Sequence, residues 1–249
     1  MYRATSRYGH TLTEYECTLF QDKEVNEDRP IRNITLNFPL YQGVEEVWIG
    51  VDHGSQVTPP SAYENDKKII LYGTSITQGG CATRPGMAYP NIISRRINQE
   101  FINMGFSGSG RGEPELAHIL AEIADPACLI LDYEANCGSV ESLQETLPEF
   151  IRIYRDQHPL VPILVVSQIV YAEEAFHNSL LRLSRKQVQI DTVERYRQAG
   201  DNHIHFFDGS LLLGEHAHEC TVDGVHPTDL GFLNMANGLT ATIRSLLSN

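Results

Sequence analysis

From Lys67 onward the chain alternates short apolar runs with amphipathic stretches, and no other feature restricts its fold as much. The runs at residues 69–72, 101–104, 128–132, 163–167 and 204–207 read as buried strands. Helices are predicted at residues 88–98, 114–124, 140–156, 185–198 and 228–247. In the third of these, Leu143, Leu147, Phe150, Ile151 and Tyr154 fall on one face, and Pro148 is placed to kink the helix or divide it. Strand and helix in strict succession imply a parallel sheet covered on both sides, a three-layer α/β/α fold.

Residues 1–61 read differently. The segments 16–20, 31–39 and 46–51 are short β-prone runs, and Arg32 to Phe38 alternates polar and apolar as a half-buried antiparallel strand does. No helical period is present there. Thr58-Pro59-Pro60-Ser61 makes a stiff connector, so the expected domains are a small β-rich segment at 1–61, a partial sandwich, and an α/β domain at 62–249. A sandwich of that size is expected to expose a strand edge or to have it covered by a partner, such as a second copy of the chain.

The net charge of −13 argues against nucleic acid, whose phosphates require clustered Lys and Arg. No window is apolar over the length of a membrane span, and residues 1–12 lack the apolar core of a secretory signal. Five cysteines, odd in number and without a CxxC pair, read as reduced thiols of a cytoplasmic protein. Glu215, His216, His218 and Cys220 match no tetrahedral zinc spacing, so no metal is expected there.

The sharpest motif follows the first apolar run: Gly73-Thr74-Ser75-Ile76-Thr77-Gln78-Gly79-Gly80. A serine just after a buried strand, with glycines on both sides of its turn, can present its hydroxyl at the carboxyl edge of the sheet, where open α/β folds bind ligands. A plain helix cap is the alternative role for Ser75. Near the chain's end, Asp223 stands three residues before His226. A bond between them would fix the imidazole tautomer and leave the second ring nitrogen free as a base. With Ser75 they supply the minimum for an activated oxygen nucleophile.

The loops at 103–110 and 131–138 follow the second and third strands and open on the same edge. Ser75 N–H, Gly108 N–H and the Asn136 amide can therefore converge on one oxyanion, each donor contributing about 3–4 kcal/mol. Arg84 and Arg111 lie in neighbouring loops as candidates to bind a polar or anionic substrate group, with a surface arginine packed on its own loop as the plain alternative.

These four stretches resemble the four blocks of the SGNH (GDSL-like) hydrolases. The longer run YGTSITQGGCATRPGMAYP, with NMGFSGSGRGEPELA and HPTDLGF, is similar to a bacterial branch in which a β-sandwich precedes the SGNH domain. The resemblance covers residues 36–249. It implies a flavodoxin-like domain with five parallel strands, Ser75 as nucleophile, Asp223 and His226 as the rest of the triad, and Ser75, Gly108 and Asn136 around the oxyanion. Two positions depart from the pattern. Thr74 stands where the family usually has Asp, and LDYEANCG replaces a proline-containing form around Asn136. The implied reaction is hydrolysis of short-chain, chiefly acetyl, esters of a polar, carbohydrate-like alcohol through an acyl-enzyme, without a cofactor. The small polar loops near Ser75 favour that short acyl group. Acyl transfer through the same triad and a catalytically silent carbohydrate-binding module are the rival readings.

Overall fold

The computed structural model describes Thr18, Ile31, residues 33–176 and residues 179–248. It divides into two units, residues 1–37 and 38–249, whereas the change in composition falls at Thr58 to Ser61. The β-prone run at 16–20 lies mostly outside the described residues, whereas residues 33–39 are described and form no strand, with Ile34, Leu36 and Phe38 exposed where a half-buried strand is expected. Residues 46–51 are described and form no strand; Trp48 and Ile49 are exposed. Alternation becomes a strand only where another strand takes up the backbone groups, and no described segment pairs with this one.

The sheet has five parallel strands: β1 (Lys68–Gly73), β2 (Glu100–Gly105), β3 (Pro126–Asp132), β4 (Ile163–Val166) and β5 (Ile204–Phe207), in the order β2-β1-β3-β4-β5. The pairing runs from Lys68 against Glu100 to Gly73 against Gly105 on one edge of β1, and ends at Gly73 against Asp132 on the other. The helices are α1 (Ser75–Gln78), α2 (Tyr89–Ser94), α3 (Pro114–Ala121), α4 (Val140–Gln157), α5 (Leu180–Gln198) and α6 (Asp229–Leu247).

Strand periodicity divides the core in two. Ile69 and Leu71 pack with Ile92 and Ile93 of α2 and with Phe232, Met235 and Leu239 of α6. Ile70 and Tyr72 pack on the other side with Leu120 of α3, Leu147, Phe150 and Ile151 of α4, and Val188 of α5. These four side chains of β1 are fully buried, each stabilising the fold by about 1.5–3 kcal/mol.

Pro148 does not divide α4; the helix is a single 18-residue element with the proline inside it. Its face of Leu143, Leu147, Phe150, Ile151 and Tyr154 is fully buried, and this packing outweighs the missing backbone bond. Helix α5 starts at Leu180, ahead of the predicted residue 185, because Ser179 Oγ accepts from Arg182 N at 3.2 Å.

At the carboxyl end of β2, Gly105 lets the backbone of α1 lie directly on the sheet. A Cβ there would overlap Gln78 N and come within 2.6 Å of Gln78 Cα. Gly105→Ala is therefore expected to destabilise the fold by about 1–3 kcal/mol, lowering the thermal midpoint by several degrees. Gly138→Ala, at a site with open space, is the control and is expected to stay within about 0.5 kcal/mol of the parent. Equal midpoints for the two variants would refute this account of the close approach.

Candidate active site

Ser75 is the first residue of α1, immediately beyond β1. Thr74 caps that helix, its Oγ1 accepting from Ile76 N at 3.2 Å. A threonine thus performs the capping that an aspartate at this position would also perform, which accounts for one departure from the family pattern. As the first helical residue, Ser75 has a backbone N–H with no acceptor inside the helix. Gly79 closes the turn at φ +105°, a conformation in which a side chain is strained.

Ser75 Oγ lies 2.9 Å from His226 Nε2, and His226 Nδ1 lies 2.7 Å from Asp223 Oδ2. The second carboxylate oxygen of Asp223 accepts from His226 N at 2.7 Å and Val225 N at 2.9 Å. The bonds from His226, first the backbone and then the ring, hold the Asp223 carboxyl down at about 2. The three residues come from opposite ends of the chain and form one continuous hydrogen-bonded relay.

The loop after β2 is fastened on both sides. Phe106 N donates to Gly73 O at 3.0 Å and Ser107 N to Gln78 Oε1 at 2.9 Å. Gly108 is exposed at φ +68°, with nothing within 4 Å of the position a Cβ would take. Asn136 Nδ2 donates to Phe106 O at 3.2 Å, which places its amide beside this loop and leaves a second N–H available.

The two arginines are engaged within the protein. Arg111 donates from Nε at 3.3 Å and from a terminal nitrogen at 3.1 Å to Gly108 O, and so holds the peptide that follows the candidate oxyanion donor. Arg84 pairs with Asp229 at 3.3 Å at the start of α6.

The family model of the GDSL-like lipase/acylhydrolase family matches residues 66–244. This chain belongs to that family. A GDSL-like protein of Bacteroides ovatus is 36% identical, with a TM-score of 0.69 over 74% of this chain and 54% of that one. A salicylyl-acyltransferase from a tetracycline biosynthetic pathway is 20% identical, with a TM-score of 0.60 over 74% of this chain and 55% of its own. A two-domain esterase active on acetylated mannans is also 20% identical, with a TM-score of 0.55 over 74% of this chain and 50% of its own. The chain thus spans about half the length of these structures. No curated protein matches it.

In this GDSL-family chain the turn carrying Ser75 stands on a polar layer that sequence reasoning missed. Asp132, the last residue of β3, accepts from Thr77 Oγ1 at 3.0 Å and from Tyr89 Oη at 2.8 Å. Gln78 spans two segments, donating to Leu40 O at 3.0 Å while accepting from Ser107 N. Buried Arg185 of α5 grips the turn around Asn136: one guanidinium nitrogen donates to Glu134 O at 3.1 Å and to Cys137 O at 2.5 Å. Its other terminal nitrogen donates to Gln168 Oε1 at 3.0 Å, while Gln168 N donates to Glu134 Oε2 at 2.9 Å. The available signal was a carboxylate ending an apolar strand, since such a group must find donors once buried.

Desolvation raises the carboxyls of Asp132 and Glu134, to about 6 and about 7. A carboxyl raised above its unfolded value of about 4 contributes stability that is full below that value and is lost as pH rises through the folded value. Glu134→Gln is thus expected to flatten the decline in thermal midpoint between about pH 5 and pH 8 relative to the parent. Parallel profiles for parent and variant would count against burial as the cause.

Proposed function

We propose that the chain is a serine esterase that hydrolyses short-chain acyl esters of a polar alcohol. The observation that carries this reading is the relay Ser75–His226–Asp223 at the carboxyl edge of the sheet. His226 Nε2 takes the Ser75 proton as Oγ attacks the ester carbonyl, and Asp223 stabilises the imidazolium through Nδ1–H. Ser75 N–H, Gly108 N–H and the free N–H of Asn136 receive the oxyanion. Collapse of the tetrahedral intermediate expels the alcohol, which takes the proton held on His226. The same nitrogen then deprotonates a water molecule that cleaves the acyl-enzyme, and returns the proton to Ser75 as the acid leaves.

Water access favours hydrolysis over transfer to an alcohol acceptor. The side chains of Asp223 and His226 are 50% and 29% exposed, so the acyl-enzyme would be open to solvent. Alanine at Ser75 or His226 is expected to lower turnover of an aryl acetate by roughly 10⁴-fold or more with circular dichroism unchanged, and Asp223→Asn to cost less than either. A near-parental rate in Ser75→Ala would refute the mechanism.

The alcohol and acyl preferences follow from the lining. Gln78, Thr83, Ser107, Ser109 and Arg111 lie in the loops nearest Ser75, with Leu40 and Tyr41 against the glycine pair as the adjoining large side chains, a small apolar surface for a chain that gains about 0.8 kcal/mol for each buried methylene. The likeness to an esterase active on acetylated mannans is consistent with an acetylated saccharide as substrate. Catalytic efficiency is expected to fall steeply from acetyl to octanoyl esters, and O-acetylated oligosaccharides to release acetate. Efficiency rising with chain length would reverse the assignment.

A further inference from the structure

Cys81 takes part in none of these steps. It follows the glycine pair that closes α1, is exposed, and has its backbone at φ +70°. Its Sγ, one carboxylate oxygen of Asp223 and one ring nitrogen of His226 all lie within 4.8 Å of one another. Among the described residues this is the single group of at least three such donors.

The donor set has a definite chemical preference. A thiolate, an imidazole and a carboxylate suit borderline-soft dications of the zinc class, and the thiolate disfavours Mg²⁺ and Ca²⁺. Zinc takes sulfur at about 2.3 Å and nitrogen or oxygen at about 2.0–2.2 Å, which puts tetrahedral neighbours about 3.3–3.6 Å apart. The sulfur must therefore approach by up to about 1.5 Å, within reach of a rotamer change in an exposed side chain. The thiolate and carboxylate together carry two negative charges, which match the dication, and water can complete the shell.

We propose that Cys81, Asp223 and His226 form a three-ligand site for a zinc-class divalent cation, and that its occupation turns the catalytic relay off. The site stands independently of the reaction, whereas the inhibition rests on the esterase reading above. Binding releases the thiol proton to solvent, because a coordinated thiol is deprotonated. Either ring nitrogen gives the same outcome. Coordination through Nδ1 replaces the bond to Asp223 and leaves the ring proton on Nε2, which then cannot accept the Ser75 proton, while coordination through Nε2 removes the bond to Ser75. The ion is thus an inhibitor competing with the proton of the relay, and the reaction itself has no use for it.

The test uses the purified full chain with Zn²⁺ in the assay and Co²⁺ as the optical probe. Micromolar Zn²⁺ is expected to lower aryl acetate turnover at least tenfold, with EDTA restoring it. Cys81→Ser is expected to keep the parental rate without metal and to need at least tenfold more Zn²⁺ for half inhibition. Co²⁺ is expected to give a thiolate-to-metal charge-transfer band in the parent that is lost in Cys81→Ser. Equal zinc sensitivity of parent and Cys81→Ser would overturn the proposal, as would a cobalt band that survives the substitution. A chain without esterase activity that still shows the Cys81-dependent band would support the site and sink the reading of the reaction.

Discussion

Parallel pairing of β1 on both of its edges is the constraint on which the rest of the molecule depends. With β2 and β3 hydrogen-bonded to it, β1 is sealed in the sheet interior, and its side chains Ile69 to Tyr72 are removed from water on both faces. The chain can leave only at the carboxyl end, where the exits of β1, β2 and β3 stand side by side. The order β2-β1-β3 reverses direction between β1 and β3, which opens a crevice at that edge. Ser75, Gly108 and Asn136 stand at that edge because they follow these three neighbouring strands.

Backbone topology brings the loops together, and a polar layer beneath them sets their positions. Asp132 holds the nucleophile turn through Thr77, Gln78 ties that turn to the loop after β2, and Arg185 fixes both ends of the turn around Asn136. Groups buried in this way are costly unless satisfied, and removal of one partner from a buried pair typically destabilises by about 3–5 kcal/mol. Here the expense falls beside the candidate active site, where position matters most. The apolar halves of the core need only fill space on either side of the sheet.

The exposed face of the site combines chemistry with vulnerability. On the proposed reaction the relay has to stay open to substrate and water, and its part-exposed carboxylate and imidazole are then open to cations as well. Cys81 adds a soft donor at the same edge, supplied by the loop that closes the nucleophile turn. One stretch of chain, Gly73 to Cys81, thereby carries the proposed nucleophile, its support and the proposed inhibitory ligand.

Strand positions and the family were legible in the chain because burial on both faces leaves short apolar runs, and because the Ser75, Gly108, Asn136 and Asp223–His226 blocks are contiguous motifs. The predicted elements for β5, and for α4 to within a residue, coincide closely with the observed ones. Pro148 does not divide its helix, since local backbone preference is weak against five buried apolar residues on one helix face. The sequence by itself determined the alternation that forces a parallel α/β sheet, and the residue types able to make a serine nucleophile, a base and an orienting acid. Tertiary structure alone decided that Ser75 and His226, 151 positions apart, meet at 2.9 Å. It also decided that Arg185 clamps the Asn136 turn and that Cys81 stands at the relay. Those are contacts between side chains remote in sequence, and no periodicity encodes them, because they are specified by how the layers pack.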